Sequence, residues 1–490
     1  MSAGGWNSQS GSIEMKRGQI RDLALFSVVL LVVGVLMRIF YPQPFVYSDS
    51  YTYIYTAAHN TFDFFRPNGY PRYLRLIHWL SPGLGFLFLV NYLFFALSSL
   101  LLLFSARQVL SIRNSRLFLV IGFCAILSPR LVFSTNYMMS DGVFSSLAAV
   151  FVASCLWLVK RPSWGWSIVN LLTLWLMCRL RYGGLFFIPA SAVAFFLSLR
   201  GKARFVPVLV ACAPILLGVA FYVITRYEYK KQTDVAVFSG FGGWQKINNA
   251  LVLFPEAKEL PPEAFKPEVR TLHAFMLRQP DEKFDRENTM GTLHMWSNEL
   301  PCKAYVFNMC AELGSPYGYE WVVQSKVFGE YAKELVAKYP FRYLARYFLP
   351  SLWSTFRFMP FVEESIPVEE KGMLRSYYGV NYKTYHHRYR FFSGTVDPVR
   401  RVLNVVYWIA AVLSMGFFFY ALKKKYYSRT AALGLLVLAL MFIFVIGGQA
   451  VSSPCTTWRY TMPFYQASVV FILVNLREMA LRLFRKKAGA

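Results

Sequence analysis

RDLALFSVVLLVVGVLMRIFYPQPFVYSDSYTYIYTAAHN, residues 21–60, decides the fold. Its first half, from 23 to 40, is an apolar run long enough to cross a hydrocarbon core about 30 Å thick. No small-residue cleavage site follows, so the run reads as a retained signal anchor behind the polar, basic tail 1–21. Its second half turns polar and places Asp49 just beyond the run. Acids are scarce in this chain, so that position asks for a reason.

The same apolar pattern repeats along the 490 residues, which are 56% apolar and 16% charged. That balance is too apolar for a soluble surface and marks a polytopic membrane protein. Ten segments read as spans, near 22–41, 84–104, 117–133, 142–159, 165–178, 183–199, 205–224, 402–422, 430–448 and 461–476. The fifth is short and pairs with the sixth as a hairpin. The expected class is an all-α membrane protein of about ten transmembrane helices. Its expected parts are a tail 1–21, a membrane module 22–225, a mixed or mostly helical domain 226–400, further spans 401–476 and a basic tail 477–490.

Bases outnumber acids 52 to 26. They cluster in alternate connections: at Lys16, Arg17 and Arg21; at Arg107, Arg113 and Arg116; at Lys160 and Arg161; at Arg200, Lys202 and Arg204; at Lys423, Lys424, Lys425 and Arg429; and from Arg477 to the end. That is a topology signal and argues against nucleic acid. It places both termini in the cytosol. The loop 41–83, the turn 136–141 and the stretch 226–400 then share the opposite face.

Three acids outside the long stretch share that face: Asp49, Asp63 and Asp141. Arg66, Arg72, Arg75, Arg130, Arg179, Arg181 and Arg459 also stand there, against the usual bias. Guanidinium groups gathered at a membrane edge suit a bound phosphate, and carboxylates there are functional candidates. The plainer readings are headgroup contacts for the arginines and helix caps for Asp49 and Asp141. His59, His78, His386 and His387 lack metal-ligand spacing, and surface solvation accounts for them more cheaply. Tyr382, Tyr385, Tyr389, Phe391 and Phe392 fit an interfacial aromatic belt or a sugar-stacking surface. Cys302 and Cys310 could pair if extracytoplasmic; the other cysteines fit apolar packing. The basic aromatic piece at 341–361 fits the bilayer surface or the domain's own core.

Five short stretches resemble the GT-C superfamily of integral-membrane glycosyltransferases, of the protein O-mannosyltransferase and aminoarabinose transferase type. They are Ser48-Asp49-Ser50-x-x-Tyr53; Arg66-Pro67-Asn68-Gly69-Tyr70-Pro71; Met139-Ser140-Asp141-Gly142; Arg179-Leu180-Arg181-Tyr182-Gly183-Gly184-Leu185; and Trp458-Arg459-Tyr460-Thr461-Met462-Pro463. One position departs: Ser50 stands where many such enzymes carry a second acid.

The resemblance implies a polyprenyl-phosphate-linked sugar donor, an acceptor hydroxyl on a protein, lipid or glycan, and inversion at the anomeric carbon. It implies Asp49 as base, Asp141 as a second catalytic acid, and Arg179, Arg181, Arg459, Arg66 and Arg72 on the donor phosphate. Tyr53, Tyr70, Tyr182 and Tyr460 become substrate contacts. A divalent metal is admitted but no ligand set is legible. The implied location is a bacterial inner or plasma membrane, with the site outside. The rival classes are a lipid-linked glycan polymerase or ligase, a transporter or flippase of lipid-linked sugars, and a non-catalytic assembly subunit.

Overall fold

The computed structural model describes residues 17–199, 205–284, 301–354, 356, 368–380, 386–452 and 458–488. The side chains of the 382–392 aromatic and histidine group, and the basic loop at Arg200, Lys202 and Arg204, lie outside the described residues. Among the described residues the regular structure is helical; one isolated bridge pairs Phe45 with Tyr137.

Among these residues, six helices are long and apolar enough to cross a membrane. They are α1 (Arg17–Phe40), α4 (Leu84–Val109), α7 (Ser140–Lys160), the Val206–Thr233 part of α10 (Phe205–Thr233), the Pro398–Lys423 part of α16 (His386–Lys423), and the Arg429–Gln449 part of α17 (Arg429–Ser452). The chain is a multi-pass membrane protein. The other four expected segments are helical too, at α5 (Ser115–Ile126), α8 (Trp164–Leu180), α9 (Ile188–Ser198) and α18 (Tyr465–Ala488), and a short helix, α15 (Val368–Tyr378), precedes α16.

The 117–133 segment was expected to be continuous and is not. α5 stops at Ile126, and Pro129 opens a separate helix, α6 (Pro129–Ser134). A proline has no N–H to give the preceding turn, but it fits the first position of a new one. α7 runs through the middle and is buried along nearly its whole length. Small residues such as Ala148, Ala149, Ala153 and Ser154 let its neighbours come close. Across α7, α8 and α9, the Asn170 amide donates to Ser154 Oγ (2.8 Å) and accepts from Ser191 Oγ (2.5 Å). No polar atom of that group is wasted in the apolar interior.

α10 continues beyond the boundary expected at 225 and enters a second core. That core belongs to α11 (Gly242–Ala250), α12 (Pro267–Leu277), α13 (Pro301–Leu313) and α14 (Tyr317–Lys338). α14 buries Trp321, Phe328, Tyr331 and Leu335 at helical spacing and ends just before Pro340. Trp244 stacks on Trp321 at 3.6 Å and donates its Nε1–H to the Trp321 carbonyl. Gly243 allows this closeness: a Cβ there would lie 1.6 Å from the Ser325 carbonyl. Cys302 and Cys310 share α13, about 12 Å apart along its axis, beyond the reach of a disulfide.

The loop after α2 (Ser48–His59) feeds this second core. Phe62, Phe64 and Phe65 pack against it, with Phe65 edge-on to Trp321 at 5.0 Å. Tyr229 Oη donates to the Phe64 carbonyl (3.2 Å). The domain therefore grips the loop that begins α3 (Gly69–Leu80).

Candidate active site

The stretch after α1 and the 136–141 turn are laced by backbone. Phe45 N–H donates to the Asn136 carbonyl (2.8 Å), and Met138 N–H to the Phe45 carbonyl (2.9 Å). The Asn136 amide donates to the Gln43 carbonyl (2.8 Å). Ser50, wholly buried, accepts from the Tyr47 N–H (3.0 Å) and donates to the Met138 carbonyl (2.9 Å). This explains the departure at Ser50. An acid there would bury a charge against a carbonyl oxygen, whereas the hydroxyl both accepts and donates.

The lacing brings Asp49 and Asp141 together. Neither is a helix cap. α2 begins at Ser48 and α7 at Ser140, so each Asp lies inside a first turn with its carboxylate turned toward arginines. Gly142 lets α6 approach, since a Cβ there would lie 2.4 Å from the Ser134 carbonyl.

Arg66 donates Nη2–H to Asp49 Oδ1 (2.5 Å) and Nη1–H to Thr52 Oγ1 (2.9 Å). Arg181 donates Nη1–H to Asp141 Oδ1 (2.5 Å). Arg459 bridges the pair: its Nη2–H groups reach Asp49 Oδ2 (3.1 Å) and Asp141 Oδ2 (3.2 Å), and its Nε–H reaches Asp141 Oδ1 (3.3 Å). Five chain segments thus meet at five charged groups. Three guanidinium groups against two carboxylates leave one positive charge over. Asp141 is 1% exposed, while Asp49 is 20%, Arg66 17% and Arg459 28% exposed. The cluster has a sealed side and an open side. Burial works to raise the Asp49 pKa, but the charges of Arg66 and Arg459 outweigh it and hold the carboxyl down to about 2.

Arg66 is aimed by its own loop. Asp63 Oδ1 accepts from the N–H groups of Phe65 (2.8 Å) and Arg66 (3.2 Å), while Asn68 Oδ1 accepts from the Asp63 N–H (2.8 Å). Asp63 is therefore a builder of this turn. Burial pushes its carboxyl up.

The remaining sequence candidates fall in different places. Arg179 donates through both Nη atoms to Glu228, at 2.9 Å each, and tethers α8 to α10. Arg72 is exposed on α3. Tyr53 lies beneath Arg66 (5.5 Å) and meets Tyr70 edge-on (4.8 Å); Tyr460 lies beneath Arg181 (5.4 Å). Tyr182 faces the other way, against Phe238 (5.0 Å) and the Tyr229 hydroxyl (3.3 Å). Glu228 escaped the sequence reading. Its only signal was an acid in the last turns of a long apolar helix.

Among the described residues, no three His, Cys, Asp or Glu side chains gather as a metal set. His59 packs on Tyr55, and His78 stacks on Tyr377 at 4.0 Å. The two clustered carboxylates are already held by three guanidinium groups. That donor set fits an oxyanion rather than a divalent cation.

No family model matches the chain, and no curated protein does. Among solved structures, the chain is similar to the crystal structure of ArnT from Cupriavidus metallidurans bound to undecaprenyl phosphate. Identity is 13%, over 91% of this chain and 84% of that one, with a TM-score of 0.34. Likeness at that level assigns no role to any residue.

Proposed function

We propose that this chain is a membrane glycosyltransferase that moves a sugar from a polyprenyl-phosphate donor to an acceptor hydroxyl on the non-cytosolic face. One observation carries the reading: three guanidinium groups and two carboxylates converge at the end of the bundle, with a positive charge to spare and one side open. That arrangement matches a bound phosphate beside a proton acceptor.

In the proposed reaction, the acceptor oxygen attacks the anomeric carbon. The bond from that carbon to the phosphate oxygen breaks, and its electron pair stays on the phosphate. The acceptor proton passes to Asp49, and the anomeric configuration inverts. Arg66, Arg181 and Arg459 hold the charge that grows on the leaving phosphate.

In the state described here, both Asp49 oxygens accept from arginines, so the carboxylate is a weak base. A phosphate drawing Arg66 and Arg459 to itself would release Asp49 and raise its basicity. Donor binding thus comes first and arms the base. Asp141 remains sealed and keeps Arg181 and Arg459 aimed.

A transporter reading is less well supported. Transporters place ionisable groups near mid-membrane. Here the charged residues of the described candidate spans lie in terminal turns. The test is purified protein given polyprenyl-phosphate sugars with candidate acceptors, the products followed by mass spectrometry. Transfer by wild type and its loss in Asp49→Asn supports the reading. Unchanged transfer by Asp49→Asn ends it.

A further inference from the structure

Beyond α14, the chain leaves the domain through a piece with two unlike sides. It consists of Pro340–Tyr343, a π-turn at Leu344–Phe348, and Leu349–Ser354. One side is clasped to the domain. Arg342 and Arg346 both reach Glu256 Oε1, at 2.5 and 2.7 Å, and Tyr339 Oη donates to the Glu256 carbonyl (3.2 Å).

The other side is bare. Phe341 is 83% exposed, Leu344 45%, Leu349 52% and Trp353 64%. In a regular α-helix, Leu349 and Trp353 would rotate away from Phe341. The wider π-turn absorbs about one residue of rotation and returns them to the same stripe. π-turns cost hydrogen-bond geometry, so one that lines up four large apolar side chains toward the outside suggests a use.

The end of the piece shows what lies beside it. The Phe356 carbonyl accepts from the Asn404 amide (3.1 Å), and the Phe356 ring meets Trp408 edge-on at 4.8 Å. Asn404 and Trp408 belong to the spanning part of α16, where Val402, Val405, Val406 and Ile409 are each more than half exposed. Leu349–Ser354 also packs against α17. Through Trp353, whose ring meets Phe356 at 5.9 Å, the bare stripe runs on to the exposed apolar surface of the α16 candidate span.

We propose that 340–354 is an in-plane elbow whose Phe341, Leu344, Leu349 and Trp353 lie in a phospholipid monolayer, with the Glu256 clasp fixing the domain to it. This does not depend on the reaction proposed above.

The test uses the full chain in phosphatidylcholine vesicles brominated at shallow or deep acyl positions. The quenching difference between wild type and Trp353→Phe isolates the emission of Trp353. At least twofold quenching of that emission, stronger with shallow bromines and with little effect of aqueous iodide, is the expected result. Phe341→Trp, which adds a reporter at the other end, should gain emission with the same depth profile. Iodide quenching at both positions, or quenching by neither agent, overturns the elbow. The first would mean water, and the second cover by protein.

Discussion

Two Asp–Arg groups stand at opposite ends of α1, and their differences are instructive. At its beginning, Asp22 (1% exposed) accepts from Arg107 (5% exposed) at 2.7 Å, and Arg107 also reaches Ser115 Oγ (3.2 Å) and covers the Phe118 ring (4.3 Å). One buried acid meets one buried base, with the exposed Arg21 also 3.5 Å from Asp22, and three helices are tied. Beyond the other end, Asp49 and Asp141 meet three arginines, the charges do not cancel, and one side stays open. The first arrangement lies buried between helices. The second keeps more guanidinium than carboxylate groups and a partly exposed side.

The largest expected effect separates the two directly. Asp49→Asn should cut sugar transfer per folded molecule by about 10²–10⁴-fold, as expected for a lost general base, and should also lower stability, because the ion pairs with Arg66 and Arg459 go with the charge. Asp22→Asn should keep transfer per folded molecule, while stability falls by roughly 3–5 kcal/mol because the buried Arg107 loses its carboxylate. Turnover assays and denaturant unfolding on both variants check this. A dead but stable Asp22→Asn would erase the contrast.

Next comes Arg459→Gln, which removes the bridge between the acids. Transfer should fall by about 10²–10³-fold, the scale of losing one charge-stabilising donor. The pH dependence sharpens the point. Asp49 is depressed from its ordinary 3.8 to about 2, so its contribution to stability is complete above 3.8 and is lost as pH falls toward 2. In Arg459→Gln that loss should be smaller and should finish at a higher pH, because the folded-state value moves back toward 3.8. Thermal unfolding from pH 5 to pH 2 reads the shift, and an unmoved curve would contradict it.

Smaller still is Arg179→Gln, which breaks the Glu228 tether. It should lower the unfolding temperature while changing donor KM by less than about threefold, since the pair is partly exposed. Arg72→Ala should leave both transfer and stability within experimental scatter, as expected for an exposed side chain away from the charged cluster. A large loss from Arg72→Ala would extend the site along α3.

The spanning helices were legible because an apolar run in a bilayer has few other ways to satisfy its backbone. The break at Pro129 was also written in the sequence, yet the apolar run across it masked the stop. At the cluster, charge sign and sidedness pointed to Asp49, Asp141, Arg66, Arg181 and Arg459 as candidates. They could not separate Arg179 from Arg181, two residues apart on the same helix end. That choice depends on where α10 carries Glu228, a tertiary fact with no local trace. The duty of Asp63 was hidden for a similar reason: a turn-building carboxylate and a chemical one look alike until their hydrogen bonds are seen.

Phe64 gives its carbonyl to Tyr229 of the domain, and two residues later Arg66 gives its guanidinium to Asp49. The hinge between these two grips is a single short turn. Whatever tugs on the domain therefore also tugs on the charge that keeps the carboxylate quiet. Phe62, Phe64 and Phe65 thus tie the turn that aims Arg66 to the core of the folded domain.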